Sequence, residues 1–150
     1  MPETTTTTTP TPLRSTCHCG AVSITVPRLP EYINQCQCTI CRRYGAAWGY
    51  YHPDEVEIET EGEKEKVIRK YVWGDRDLEF CFCGGCGCVC YWWPLHPPEK
   101  GKESEYQMGL NMNNVDPELL RFVDRKLEFS MLRTPVRDGG KRHKDDGAEY

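Results

Sequence analysis

The stretch FCGGCG at residues 82–87 decides the fold of this 150-residue chain. Its cysteines, Cys83 and Cys86, are separated by two glycines, which let the backbone bend and bring both sulfurs toward one ion. This pattern is typical of a zinc-knuckle turn. Because a structural zinc site is tetrahedral, the turn needs two more ligands from another part of the chain.

The second pair of ligands is predicted in CHCG at residues 17–20, which offers two sulfurs and no third nearby. Two close pairs complete one tetrahedron, so we predict a closed structural zinc site. Its four predicted ligands are Cys17, Cys19, Cys83 and Cys86. Structural zinc contributes about 10–16 kcal/mol of apparent binding free energy to folding, which would offset a thin apolar core.

A third group, CQCTIC at residues 36–41, contains three cysteines and no obvious local fourth ligand. Three protein ligands and an open position distinguish catalytic from structural zinc, because water or a substrate atom can take the fourth place. We therefore predict a second, catalytic zinc at Cys36, Cys38 and Cys41. Its thiolate ligands favour a substrate thiolate in the open position.

Spacing alone leaves alternatives. Residues 81–86 repeat the C-x-C-x-x-C spacing of residues 36–41. The spacing therefore does not show which cysteine triplet leaves a coordination position open. Cys81, Cys88 or Cys90 can also fold back and close the middle site. Cys88 and Cys90 can instead be small buried hydrophobic residues, which is common for free cysteine.

Composition predicts one domain with a thin core, since hydrophobic residues, ten cysteines included, make up 38% of the chain and the mean hydropathy is -0.68. Residues 1–16 contain no apolar region of a secretory signal, and no stretch approaches the ~18 apolar residues of a membrane span. We therefore expect a cytoplasmic protein with reduced thiols and no membrane partner. The alternative is a secreted disulfide scaffold that has lost its signal.

The net charge of -4 and the isoelectric point near 5.6 argue against nucleic acid as a partner, because binding phosphate backbones needs a basic face. The basic run at residues 141–144 lies beside two aspartates and is interpreted as a solvated tail.

The pattern between the termini predicts a mainly β fold: a small antiparallel β-sheet domain stapled by zinc, with at most one or two short helices. Strands are predicted at residues 21–26, 32–36, 48–52, 67–73, 78–82, 89–93, 106–110 and 127–132. A short helix is predicted at residues 117–122, with Asp116 as its cap and Pro117 in the first position.

Three segments are predicted along the chain. Residues 1–12 form a disordered Thr/Pro tail, residues 13–135 form the zinc-binding domain, and residues 136–150 form a polar C-terminal tail.

The order of the cysteine motifs resembles the glutathione-dependent formaldehyde-activating enzyme (GFA) family, which also contains centromere protein V. The matching stretches are CHCGAV at residues 17–22, CQCTICRR at 36–43 with Gly45 and Ala46 following, and FCGGCG at 82–87. They span about residues 14–93, with a looser match to about residue 132.

The resemblance implies a GFA-like β-sheet fold over the predicted domain, with one structural zinc at the four-cysteine site and one catalytic zinc at the three-cysteine site. It also implies a carbon–sulfur lyase that forms or cleaves S-(hydroxymethyl)glutathione or a related thiol adduct, with glutathione as a possible co-substrate. The expected partner is therefore a small-molecule thiol adduct.

In the corresponding mechanism, zinc at the middle cysteines binds the substrate sulfur and lowers its pKa, and an electrophilic carbon then adds to the sulfur or leaves it. Arg42 and Arg43 follow the last ligand and can hold a glutathione carboxylate, or form surface salt bridges. His52 and His96 are candidate proton-transfer groups only because histidine titrates near neutrality.

Aromatic residues near these motifs can line a pocket or belong to the core. They are Trp48, Tyr50, Tyr51, Trp92 and Trp93. The rival functions are a non-catalytic, zinc-stabilised interaction module and the same scaffold recruited for another reaction on a thiol conjugate or electrophile. The oligomeric state is not predicted.

Overall fold

The computed structural model describes residues 9–74 and 76–129, together with the backbone of residues 136–138 and 141–143. Ten strands lie in the first two ranges: β1 Leu13–Thr16, β2 Val22–Val26, β3 Ile33–Cys36, β4 Trp48–Tyr51, β5 Glu57–Thr60, β6 Ile68–Val72, β7 Leu78–Cys83, β8 Val89–Pro94, β9 Met108–Asn111 and β10 Arg125–Glu128. The predicted mainly β fold is confirmed.

Short helices connect the strands. Two are α-helices, α1 Thr39–Tyr44 and α2 Lys64–Val67, and four are 3₁₀-helices, Pro53–Glu55, Glu103–Glu105, Met112–Asn114 and Pro117–Leu120. The last confirms the predicted helix near residue 117, and the Asp116 side chain caps it by accepting from the Glu118 N–H. None of the helices described is long and apolar enough to cross a membrane.

Two sheets form the body of the described structure. The smaller has the order β1-β2-β5, and the larger has the order β10-β3-β4-β9-β8-β7-β6. All pairs in these sheets are antiparallel except β10 with β3, which is parallel. The predicted antiparallel arrangement is confirmed, and the parallel pair at this edge is the exception, where the Asp124 and Glu128 carbonyls extend the pairing by accepting from the Ile33 and Gln37 N–H groups.

Several predicted elements are shifted or were missed. The strand predicted at 127–132 begins at Arg125, and residues 130–132 lie outside the described residues. Strands β1 and β5 and helix α1 were not predicted, because each is short and β5, with the sequence EIET, is half acidic.

The predicted tails are described only in part. Residues 1–8 lie outside the described residues, and residues 9–12 are exposed without regular structure. In the C-terminal segment, β11 Val136–Asp138 pairs with β12 Lys141–His143, and residues 144–150 lie outside the description. The domain boundaries stay predictions.

Alternate residues of the central strands belong to two different apolar clusters, as the two-residue period of a strand requires. Tyr51 and Tyr91 face the first cluster, which also contains Ile24 of the smaller sheet. Trp48 and Phe80 face the second cluster, which contains Cys41 of α1 and the capping residue Cys38. The larger sheet therefore packs against the smaller sheet on one face and carries α1 on the other.

A glycine in β9 makes room for the second cluster. Gly109 is the register partner of Trp92, and a Cβ atom added to it would lie 2.0 Å from the Trp92 Nε1 atom. The indole therefore lies directly over the backbone of its neighbour.

We expect Gly109→Ala to lower the free energy of unfolding by about 2 kcal/mol or more, because the new methyl group overlaps the indole. Urea denaturation measures this loss. In a double-mutant cycle with Trp92→Leu the loss should shrink. An equal loss in both backgrounds would contradict the steric explanation.

Candidate metal centres

Four cysteine sulfurs meet between the two sheets. The Sγ atoms of Cys17, Cys19, Cys83 and Cys86 all lie within 4.8 Å of one another. The Sγ of Cys19 is 3.7 Å from that of Cys17 and 3.6 Å from that of Cys83. The structure thus brings together all four residues that the sequence predicted as structural ligands.

Two tight turns position these sulfurs. In the turn between β1 and β2 the Gly20 N–H donates to the Cys17 carbonyl at 3.0 Å, and Gly20 has a φ of 83°, which disfavours other residues. In the turn between β7 and β8 the Gly87 N–H donates to the Cys83 carbonyl at 2.8 Å. A metal bound here links the smaller sheet to the larger one.

Backbone N–H groups prepare this cluster for a cation. Burial raises the pKa of Cys86, but the N–H groups of Cys19 and Cys88 lower it to about 6 overall. The Ala21 N–H lowers the pKa of Cys19, but contacts with the thiols of Cys83 and Cys17 raise it to about 12 overall. Ionisation is therefore uneven in the free cluster, and a metal would replace the remaining thiol protons.

The middle group forms a second cluster on the other face of the larger sheet. The Sγ atoms of Cys36, Cys38 and Cys41 lie within 4.8 Å of one another, and no further histidine, cysteine, aspartate or glutamate of residues 9–74 or 76–129 joins them. Cys36 ends β3, Cys38 caps α1, and Cys41 lies in the helix. Cys38 and Cys41 are each only 6% exposed.

Hydrogen bonds hold two of these sulfurs in place. The Cys41 N–H donates to the Cys38 Sγ at 3.4 Å, and the Trp48 indole Nε1–H donates to the Cys41 Sγ at 3.2 Å. The helix ends at Gly45, whose φ of 62° lets its N–H return to the Arg42 carbonyl. The turn then leads directly into β4 and brings Trp48 under the cluster.

The three thiols do not ionise alike. Contacts with the thiols of Cys36 and Cys41 lower the pKa of Cys38, and the Cys41 and Ile40 N–H groups add to this effect against burial. Contacts with the two neighbouring thiols, together with burial, raise the pKa of Cys41. The free cluster therefore holds one thiolate among protonated neighbours. A soft cation can displace the remaining thiol protons and so gain three thiolate ligands.

The three remaining cysteines do not reach the middle cluster. Cys81 belongs to the first apolar cluster, where its Sγ donates weakly to the Glu79 carbonyl at 3.9 Å. The Cys88 thiol contacts that of Cys86, and the Cys90 Sγ donates to the Cys88 carbonyl at 3.3 Å. Within the described residues the middle cluster is therefore open, and the Cys81 triplet is not a site of its own.

The predicted arginines lie at the rim of the middle cluster. The Arg43 Nη1 donates to the Thr39 carbonyl at 2.7 Å and to its hydroxyl at 2.8 Å. The Arg42 Nη1 donates to the Gln37 carbonyl at 3.3 Å. Both guanidinium groups therefore contact the backbone around α1, and both residues are exposed.

The predicted histidines lie elsewhere. The His52 Nδ1 accepts from the Asp54 N–H, and its Nε2 donates to the Glu103 carbonyl, each at 3.2 Å. The His52 Nδ1 also lies 3.6 Å from the Asp54 carboxylate. His96 lies on the surface, 3.6 Å from Asp77.

Aromatic side chains surround the middle cluster, including two that the sequence interpretation missed. Trp48, Tyr50 and Trp92 pack in the second apolar cluster, whereas Tyr51 and Trp93 belong to the first. This agrees with the alternative that these aromatic residues belong to the core. The missed neighbours are Tyr44 and Phe80, whose ring centroids are 5.4 Å apart. Phe80 was detectable in principle, because residues 78, 80 and 82 alternate with the cysteines of β7.

Both donor sets fit zinc by their chemistry. Four thiols within reach of one ion match a closed tetrahedral site, and three match a site with an open position. The Trp48 indole adds a hydrogen bond to one sulfur of the open set, which is the outer contact that orients and tunes a metal ligand.

Comparison with known proteins agrees with this arrangement. A search of the curated proteins finds no match. The crystal structure of a Rhodobacter sphaeroides protein, a structural genomics target, is similar with a TM-score of 0.57 and 25% sequence identity, over 76% of this chain and 100% of that one. A family model described as glutathione-dependent formaldehyde-activating enzyme matches residues 12–119, which include both cysteine clusters. The chain therefore belongs to the GFA family.

Proposed function

We propose that this protein is a zinc-dependent carbon–sulfur lyase that forms or cleaves adducts between glutathione, or a related thiol, and a small electrophile such as formaldehyde. The observation that supports this function best is the open cluster of Cys36, Cys38 and Cys41. Family membership supports the same class of reaction. Both sites need reduced thiols, so we also propose a cytoplasmic location.

The proposal assigns one zinc to each cluster. Cys17, Cys19, Cys83 and Cys86 would hold a structural ion, and Cys36, Cys38 and Cys41 would hold a catalytic one. A zinc held by these three cysteines would stabilise a substrate thiolate at neutral pH.

The residues of the chain prepare that position. Trp48 fixes the Cys41 sulfur by its indole N–H, and the Trp48 and Phe80 rings cover the cluster on the sheet side, where they exclude water. Arg43 uses one terminal nitrogen on Thr39. Because a guanidinium has five N–H donors, Arg43 can also bind a carboxylate of the thiol substrate.

Metal content tests the assignment of ligands. We expect native mass spectrometry to show two zinc ions in the wild type and one in Cys86→Ser, which should also lose on the order of 5 kcal/mol of folding free energy. Cys88→Ser is the matched control, because it removes a neighbouring thiol outside the predicted set. Loss of zinc from the control alone would contradict the assignment.

Turnover tests the catalytic role. We expect Cys38→Ser to reduce cleavage of S-(hydroxymethyl)glutathione by about 100-fold or more while the circular dichroism spectrum stays unchanged. Cys81→Ser is the control, since its hydroxyl can keep the bond to Glu79 on the other face of the sheet. Unchanged turnover in a folded Cys38→Ser variant would contradict the catalytic role of the middle cluster, whereas the absence of turnover in the wild type would favour a non-catalytic interaction module.

The indole contact can be tested separately. We expect Trp48→Phe to lower the zinc affinity of the open site by about 10-fold, since it removes the hydrogen bond to Cys41 and keeps an aromatic ring. A competition titration with a chelator measures the affinity. Trp93→Phe, on the other face, should leave it unchanged, and equal effects of the two variants would argue against the proposed contact.

A further inference from the structure

A cavity of about 400 Å³ lies at the end of β4, outside both cysteine clusters. Tyr50, Tyr51 and His52 form one side of it, and residues 104–107 form the other. Its volume lies within the usual range of small-molecule sites, about 300–1,000 Å³. Nothing in the proposed chemistry uses this space.

Hydrogen bonds keep the two sides of the cavity together. The His52 Nε2 donates to the Glu103 carbonyl, and the His52 ring meets the Tyr106 ring edge-on at 5.9 Å between centroids. The Glu55 carboxylate in turn accepts from the His52 N–H at 3.0 Å. The wall that contains Tyr106 is therefore fixed to the end of the strand before any ligand arrives.

The charge of the cavity is negative. Its lining residues include three acidic ones, Glu31, Glu55 and Glu105, and one basic one, Arg28. The Lys126 ammonium lies beside the lining residue Tyr32, so acidic groups still outnumber basic ones. Arg28 forms an ion pair with Glu55 at 3.0 Å. Within the described part of the chain, the side-chain carboxylates of Glu31 and Glu105 have no ion-pair or hydrogen-bond partner.

The tyrosines around the cavity are arranged to receive cations. The Arg28 guanidinium lies 5.2 Å from the Tyr51 ring centroid, and the Lys126 ammonium lies 4.0 Å from that of Tyr32. Tyr50 and Tyr106 also line the cavity, and no cation of the described residues lies over their rings. Aromatic faces beside uncompensated carboxylates attract organic cations.

We propose that this cavity binds an organic ammonium group, between the carboxylates of Glu31 and Glu105 and the rings of Tyr50 and Tyr106. The ring faces bind the alkyl groups and the positive charge, and the carboxylates neutralise that charge. An anionic ligand of the same size that has no ammonium group is rejected by like charge. This inference stands on the cavity alone and does not depend on the proposed lyase activity.

The test compares choline with dimethylbutanol, its uncharged isostere, by titration of the zinc-loaded protein followed by NMR of the backbone amides. We expect choline to shift the amides of Tyr50 and Tyr106 and to bind about fivefold or more tightly than the alcohol. Equal binding of the two compounds, or no binding of choline, would overturn the inference.

Variants distinguish the contribution of charge to choline binding from the contribution of the shape of the cavity. Glu31→Gln combined with Glu105→Gln should weaken choline binding by about fivefold or more and leave dimethylbutanol binding unchanged. Glu61→Gln is the matched control, because it removes a carboxylate that is exposed and outside the cavity. A choline affinity that the double variant does not change would overturn the role of the carboxylates.

The ammonium group can belong to a separate amine or to the thiol adduct itself. Displacement of choline by S-methylglutathione would assign it to the adduct, and simultaneous binding would assign it to a separate amine. Both results support an ammonium site, and neither depends on turnover.

Discussion

Four cysteine sulfurs between the two sheets impose the constraint on which the other features depend. They come from two turns that are more than sixty residues apart in the chain, one between β1 and β2 and the other between β7 and β8. Thiols packed this closely cannot all ionise without repulsion, and a cation bound among them would make the arrangement favourable. Holding the two turns together keeps the smaller sheet over the first face of the larger one and closes the main apolar core.

The second face of the larger sheet is then available for chemistry. Strand alternation places Trp48 and Phe80 on this face and their neighbours in the core. Helix α1 covers the face with the middle cysteines, and the indole of Trp48 reaches Cys41. The same strands thus carry a closed cluster on one side and an open cluster on the other, and their registers set the position of both.

The sequence predicted the structure correctly wherever a few neighbouring residues determine it. Both cysteine clusters assembled from the residues that their spacing indicated, and Asp116 with Pro117 correctly predicted a helical turn. Helix α1 was missed because its cap is a cysteine side chain and its length is a single turn and a half. The parallel pairing of β10 with β3 was missed because it joins residues about ninety positions apart.

Spacing of cysteines and glycines in the chain was therefore sufficient to predict which cysteines cluster and to recognise the family, since tight turns are local properties. Contacts between distant segments decided the rest. They showed that Cys81, Cys88 and Cys90 lie away from the middle cluster, that His52 is held by a loop fifty residues away, and that tyrosines from separate segments meet around one cavity. These outcomes depend on which face of a strand each side chain occupies and on which strands are neighbours, and only the packing of the whole sheet settles both.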